Sequence, residues 1–256
     1  VSVSAVEVGS VEYGVTRCLS VDSPDESFVC GNGVMTHNST TLASLVKRIQ
    51  LTRHQKIITL ERPVEFIFGS AFNSLVTQRE IGRDARQFST ALDSAMRQAP
   101  DIIMVGEVRN KIEVNELLRA AETGHLTIST MHTNSAAATL NRIKSLYEGD
   151  DQLRVLASLS DVARGFANQV LLPTVDGQSR FAVWEVLTVT EAVAQLILAG
   201  DVKGIRDYQM SRGITMEHAL VAAVEAGKCT PEAAFRKSAS PHLFLQLAEE
   251  AGFIVR

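Results

Sequence analysis

The pattern of apolar and polar residues changes character near residue 38. Upstream, the short runs VSVSAVEV, VTRCLSVD and SFV are rich in β-branched residues and broken by Ser-Pro-Asp and Gly-Asn-Gly, the signature of strands and turns. Downstream, apolar residues recur at helical spacing in TLASLVKRI, ALDSAMRQ, VNELLRAAE and AATLNRIKSL. Between these lie the short apolar runs ITL, LVT, IIMVG and LTIST, which predict strands. Strands alternating with helices predict a parallel sheet covered by helices. Further on, AVWEVL predicts a strand with Trp184 and Phe181 in the core, and from residue 191 EAVAQLILAG, TMEHALVAAVEAG, PEAAFRK and LFLQLAEEAG predict helices. The expected organisation is a β-rich segment over 1–38, an α/β core over 39–190 and a helical region over 191–256.

Composition narrows the class. At 256 residues, 45% hydrophobic and 21% charged, the chain reads as one or two globular domains and excludes a disordered polymer. Its net charge of −4 is uneven: residues 1–38 carry five acids against one base, and the remainder balances 24 against 24. Nothing there predicts a basic face, so direct nucleic-acid binding is not expected. Three cysteines, Cys18, Cys30 and Cys229, lack metal-ligand spacing and suit a reducing compartment. No apolar run approaches the ~20 residues that span a bilayer. The first residues lack the basic start and apolar core of a signal peptide and carry no initial Met, which predicts a chain beginning at a processing point or a truncation.

The run Gly31-Asn32-Gly33-Val34-Met35-Thr36-His37-Asn38-Ser39 carries chemistry in its side-chain types. An Asn amide can attack its own following carbonyl and cleave the chain after Asn38; His37 can protonate the leaving amine, and the Ser39 hydroxyl can accept an acyl group. The same triplet also suits an ordinary turn and helix cap. The longer string CLSVDSPDESFVCGNGVMTHNS, within residues 11–39, resembles the C-terminal splicing region of inteins, a β-rich Hint-type fold ending in His-Asn before Ser, Thr or Cys. The resemblance implies that Asn38 cyclises, His37 assists and Ser39 is the first residue of the host protein and the acyl acceptor. One position departs: Glu26 stands where relatives carry a second catalytic His. The chain holds no N-terminal splicing block, so a missing upstream half is an expected partner, and cleavage after Asn38 is the most this chain could do alone.

Ser39-Thr40-Thr41 opening a helical run reads as the end of a phosphate loop, in which amides and a Lys hold phosphates and the Ser/Thr hydroxyl ligates Mg²⁺. The glycines and Lys of that motif are absent here, and a plain helix cap fits the same residues. Two apolar strands then end in acids: ITLERPVEF, with Glu61 and Glu65, and DIIMVGEVR, with Glu107. Carboxylates at strand ends beside a nucleotide can hold Mg²⁺ or orient water; as isolated residues they are loop charges. The string TGHLTISTMHTN brackets a short strand with His125 and His132, not spaced as a zinc site.

In order, ITLERPVEF, VTQREIG, AMRQAPDIIMVGEVRN and AAETGHLTISTMHTNSAAATLNRI resemble the secretion and pilus motor ATPases of type II and type IV systems (the PilT/GspE-like superfamily) through most of residues 39–190. The string LLPTVDGQSRFAVWEVL looks most like the branch serving conjugal plasmid transfer and Dot/Icm secretion, with pilus retraction or type II secretion as the alternative. The resemblance implies an incomplete RecA-like P-loop core with a helical C-terminal region that packs and makes ring contacts, using ATP and Mg²⁺. It implies a homo-hexamer after ligation, working with inner-membrane secretion components at the cytoplasmic face. Ser39 would ligate Mg²⁺ beside Thr40, Glu65 would orient water, and Glu107 would take the Walker B place near Mg²⁺. His132 and His125 would sense the γ-phosphate or contact substrate, and Arg79, Arg97 and Arg109 would face phosphate or a neighbouring subunit. Arg62 and Asn110 depart from the family, each standing where relatives have Asp. A helicase-like motor shares such a core; the neutral balance of charge and the two-histidine box weigh against it. A chain that is autoprocessing only, with a passive ATPase half, is the other alternative.

Overall fold

The computed structural model describes the backbone of residues 3–7, 17–21 and 28–31, and residues 38–69 and 72–254, with side chains from residue 40 onward. The strands expected before residue 38 are present as β1 (Val3–Glu7), β2 (Arg17–Val21) and β3 (Phe28–Gly31), ordered β1-β2-β3 in one sheet. The chemistry expected at His37, Asn38 and Ser39 falls on side chains outside the described residues.

Within residues 38–254, contacts divide the chain between His132 and Thr133. The first unit is built on four parallel strands: β4 (Lys56–Glu61), β5 (Leu75–Glu80), β6 (Ile102–Val105) and β7 (Leu126–Ser129), in the order β5-β4-β6-β7. Helices α1 (Asn38–Thr52), α2 (Phe88–Met96) and α3 (Lys111–Glu122) accompany them. The near-continuous apolar runs of β4 and β6 are buried, as expected of strands covered on both faces. On α1, Leu42, Val46 and Gln50 recur every four residues and are buried; the two apolar side chains pack with Ile57, Ile102 and Met104. Gln50 bridges helix and loop, its Nε2 donating to the Gly69 carbonyl at 2.5 Å. The predicted parallel α/β sheet is therefore present.

The second unit contains α4 (Ala136–Lys144), α5 (Gly149–Val162), β8 (Gly165–Pro173), β9 (Arg180–Thr188), α6 (Glu191–Leu198), α7 (Val202–Ser211), α8 (Met216–Glu225), α9 (Pro231–Phe235) and α10 (Pro241–Glu250). Strands β8 and β9 form an antiparallel hairpin of their own and do not extend the parallel sheet. Leu172 and Val183 of that hairpin share a core with Leu220, Val224 and Phe244 of α8 and α10. The division after His132 thus falls inside the 39–190 stretch expected to form one core, because the hairpin packs on the C-terminal helices. Glu185 is the buried polar centre of this unit. Its carboxylate, 3% exposed, accepts from the first backbone N–H of α4 (Ala136, 2.8 Å), from the first of α8 (Met216, 3.1 Å) and from Asn168 Nδ2 (3.1 Å).

Candidate active site

The order of the parallel strands positions the site. From β4 the chain moves to β5 on one side and then returns to β6 on the other, so the sheet changes direction between β4 and β6. In open α/β sheets ligands bind in the crevice at the carboxyl ends of strands where this reversal occurs. Leu60 lies in register with Val105, and the Gly106 N–H donates to the Leu60 carbonyl at 2.9 Å. Glu61 and Glu107 therefore stand at neighbouring strand ends. A cavity of about 340 Å³ opens there, lined by Leu42 and Ala43 of α1, by Met104 and Val105, and by Glu61, Arg62, Glu65, Glu107, Arg109, Glu113, Thr130 and His132.

Glu107 is held from two sides. Its Oε2 accepts from Nε and Nη2 of Arg109, each at 2.7 Å, and its Oε1 lies 3.1 Å from His132 Nε2. Charge-assisted contacts of this length orient a carboxylate more firmly than neutral ones. The loop carrying Glu107 is itself tied to β7: the Val108 N–H donates to the Thr130 carbonyl at 3.0 Å, and the Thr130 hydroxyl donates to the Gly106 carbonyl at 2.7 Å. Glu61 is buried, and its Oε1 accepts from the Thr59 hydroxyl at 2.6 Å and from Gln78 Nε2 at 3.1 Å. Residues two apart on a strand share a face, which is why Thr59 can reach Glu61. Glu65 is exposed on the loop that follows the cis Arg62–Pro63 bond.

Helix α3 starts beneath the same cavity. Asn110 is its N-cap, accepting from the Glu113 N–H at 3.1 Å, and Glu113 reaches back to accept from the Arg109 N–H at 2.7 Å. This is a capping box displaced by one residue. Asn serves the cap as well as Asp does, so the departure at Asn110 leaves the helix start intact. The departure at Arg62 places a guanidinium 3.5 Å from Glu113.

Of the residues singled out in the sequence, Glu61, Arg62, Glu65, Glu107, Arg109 and His132 meet at the cavity. Thr40 is buried in the first turn of α1. His125 does not join them. It directly precedes β7 and so lies at the amino end of that strand, where its Nδ1 is 3.1 Å from the Ala120 carbonyl and from the Thr123 hydroxyl. His132 follows the same strand, beyond the opposite, carboxyl end of an element about 13 Å long. Arg97 caps α2, donating from Nε to the Asp93 carbonyl at 3.3 Å, and Arg79 lies in the edge strand β5; neither lines the cavity. Glu113 and Thr130 were not singled out. The Asn-x-x-Glu spacing of a capping box could have flagged Glu113; no local signal marks Thr130.

Comparison with known proteins bears on this arrangement. The family model "Type II/IV secretion system protein" matches residues 28–171, more than half of the chain. The chain belongs to this secretion-protein family. The family match starts at residue 28, inside the intein-like stretch, and no comparison shows an intein. A type IV pilus retraction ATPase, PilT of Pseudomonas aeruginosa, is 36% identical over 210 residues, covering 80% of this chain and 60% of that protein. The crystal structure of the pilus retraction motor PilT with bound ADP superposes with a TM-score of 0.76 at 29% identity, covering 95% of this chain and 80% of that one. The ATPase DotB of Legionella pneumophila shares the fold, with a TM-score of 0.71 at 23% identity over 91% of this chain and 76% of that one. The chain spans 54–60% of the length of two curated relatives, the Pseudomonas PilT and a twitching motility protein of Neisseria gonorrhoeae.

The residues present suit a magnesium–nucleotide ligand in part. Glu61 and Glu107 are hard oxygen donors at adjacent strand ends, and Mg²⁺ typically takes one or two protein carboxylates together with phosphate oxygens and water. Among the described residues no cluster of three or more acids, histidines or cysteines forms a ready-made metal cage.

Proposed function

We propose that this chain supplies most of the motor domain of an ATPase that drives type IV pilus retraction or type II secretion. The observation that carries the reading is Glu107, fixed between Arg109 and His132 at the reversal point of a family-typical parallel sheet. The conjugal-transfer and Dot/Icm branch, suggested by LLPTVDGQSRFAVWEVL, takes second place. The relative at 36% identity is a pilus retraction ATPase, whereas the likeness to DotB speaks to the fold alone.

In this reading ATP with Mg²⁺, when bound, supplies the phosphoryl group that passes to water. Glu107 presents a fixed negative charge at the strand end, where Mg²⁺ and its water shell would be held, with Ser39 as the hydroxyl ligand. Glu65, exposed at the rim, accepts a proton from water in the cavity and orients it. Arg109 places positive charge, and His132 an imidazole nitrogen, beside Glu107, where negative charge would otherwise repel phosphate. A homo-hexamer docked on inner-membrane secretion components at the cytoplasmic face is the assembly this function calls for. Among the described residues no helix is long and apolar enough to cross a membrane.

The sequence holds no Gly-rich loop ending in Lys, and a half-made phosphate cradle forfeits several charge-assisted bonds. The chain alone is therefore expected to show no Mg²⁺-dependent ATP turnover, and the chain joined to a segment bearing the Gly-Lys loop is expected to show it. A colorimetric phosphate assay on both forms tests this. Equal turnover by the unjoined chain would refute the dependence, and no turnover by the joined form would refute the ATPase reading. A second reading concerns the seam at His37-Asn38-Ser39, favoured by the change of texture at residue 38 and by the missing Gly-Lys. In it residues 1–38 are the C-terminal splicing segment of an intein. Mass spectrometry with the missing half added should detect release of residues 1–38, abolished by Asn38→Ala. Unchanged release from that variant would sink the assignment.

A further inference from the structure

An ion pair joins the loop that follows β4 to the first turn of α3, and the chemistry proposed above leaves it unused. Arg62, directly after β4, brings Nη1 to 3.5 Å from Glu113 Oε1. The Glu113 side chain is 6% exposed against 44% for Arg62, so the carboxylate is the buried partner and depends on what reaches it. The other oxygen of Glu113 accepts from the Arg109 N–H, and the Arg109 guanidinium grips Glu107 Oε2. Four residues thus make a continuous run of polar contacts from the end of β4, through the start of α3, to the carboxylate at the end of β6. We propose that Arg62 is a positioning residue: by holding Glu113 it fixes the Arg109 backbone, and through it the Arg109–Glu107 contact in the cavity.

The significance of Glu107 rests on the ATPase reading, but the geometric claim is tested without nucleotide, so the two can fail separately. The measurement is amide hydrogen exchange, read by two-dimensional spectra of the whole chain, for wild type, Arg62→Asp, Arg62→Gln and Arg62→Lys. Arg62→Asp sets a like charge against Glu113, and the Arg109 amide is expected to exchange about tenfold faster. Arg62→Gln is expected to move it in the same direction and serves if the Asp variant does not fold. Arg62→Lys restores the cation and is expected to return the wild-type rate. The amides of Ile58 and Met104, inside β4 and β6, are expected to stay unchanged, which separates local positioning from general loosening. Unchanged protection at Arg109 in the Asp and Gln variants, or an equal loss at Ile58 and Met104, overturns the proposal.

Discussion

Glu185 ties two helices and the hairpin of the second unit together, and its replacement gives a measurable test of the packing described above. One carboxylate, 3% exposed, satisfies the leading N–H groups of two helices and one side-chain amide. Helix N-termini carry orphan donors and a partial positive charge, so an anion placed there stabilises both helices at once. In Glu185→Ala the donors on Ala136, Met216 and Asn168 lose their acceptor, each at roughly 1–3 kcal/mol if it stays dry. Water entering the vacated space recovers part of that, leaving a net loss of about 3–4 kcal/mol. That is a large share of the stability of a typical domain, about 5–15 kcal/mol, and should lower Tm by roughly 10 °C. Glu185→Gln keeps one acceptor oxygen but points an amide N–H₂ at a donor, and should cost about half as much. Urea unfolding followed by circular dichroism gives both values. If Glu185→Ala proves within about 1 kcal/mol of wild type, the buried carboxylate is not the joint between α4 and α8, and the reasoning is wrong.

Three further outcomes follow from particular contacts. In the chain joined to a Gly-Lys segment, Glu107→Gln should lower kcat about a hundredfold or more while the melting profile changes little; undiminished turnover counts against its role at the metal. Asn110→Ala should cost about 1 kcal/mol by removing the cap of α3, whereas Asn110→Asp should match wild type to a few tenths, both read by thermal melts. The Arg83 guanidinium, doubly hydrogen-bonded to Asp84, holds that carboxyl down to about 2 from its ordinary 3.8, with the Glu80 N–H assisting. Because the folded value lies below the unfolded one, this contact stabilises the fold above about pH 4, and the contribution fades as pH falls toward 2. Asp84→Asn should flatten that part of the acid limb in pH-dependent melts; an unchanged limb would show that the exposed pair contributes nothing measurable.

Much of the architecture was legible in residue order. Strands β4 to β7 and helices α1 to α4 coincide with runs whose apolar spacing is local, since burial of one face leaves a period of two or 3.6 in the chain itself. Glu107 could be picked out because an acid close behind an apolar run marks a strand end, and Glu65 through the family resemblance of ITLERPVEF. Which strand ends meet is a different kind of fact. His125 and His132 flank one short strand and look equivalent in sequence, yet a parallel strand has two unlike ends, and the sheet order β5-β4-β6-β7 places the cavity beside the carboxyl end alone. Glu61, read only as one of a pair of loop acids, is buried by Thr59 and Gln78 from its own and the neighbouring strand. Arg62 meets Glu113 across 51 positions of sequence, and Glu185 meets Ala136 and Met216 from either side. Periodicity records how each segment faces its core, whereas pairings between distant segments follow from the order in which strands and helices assemble.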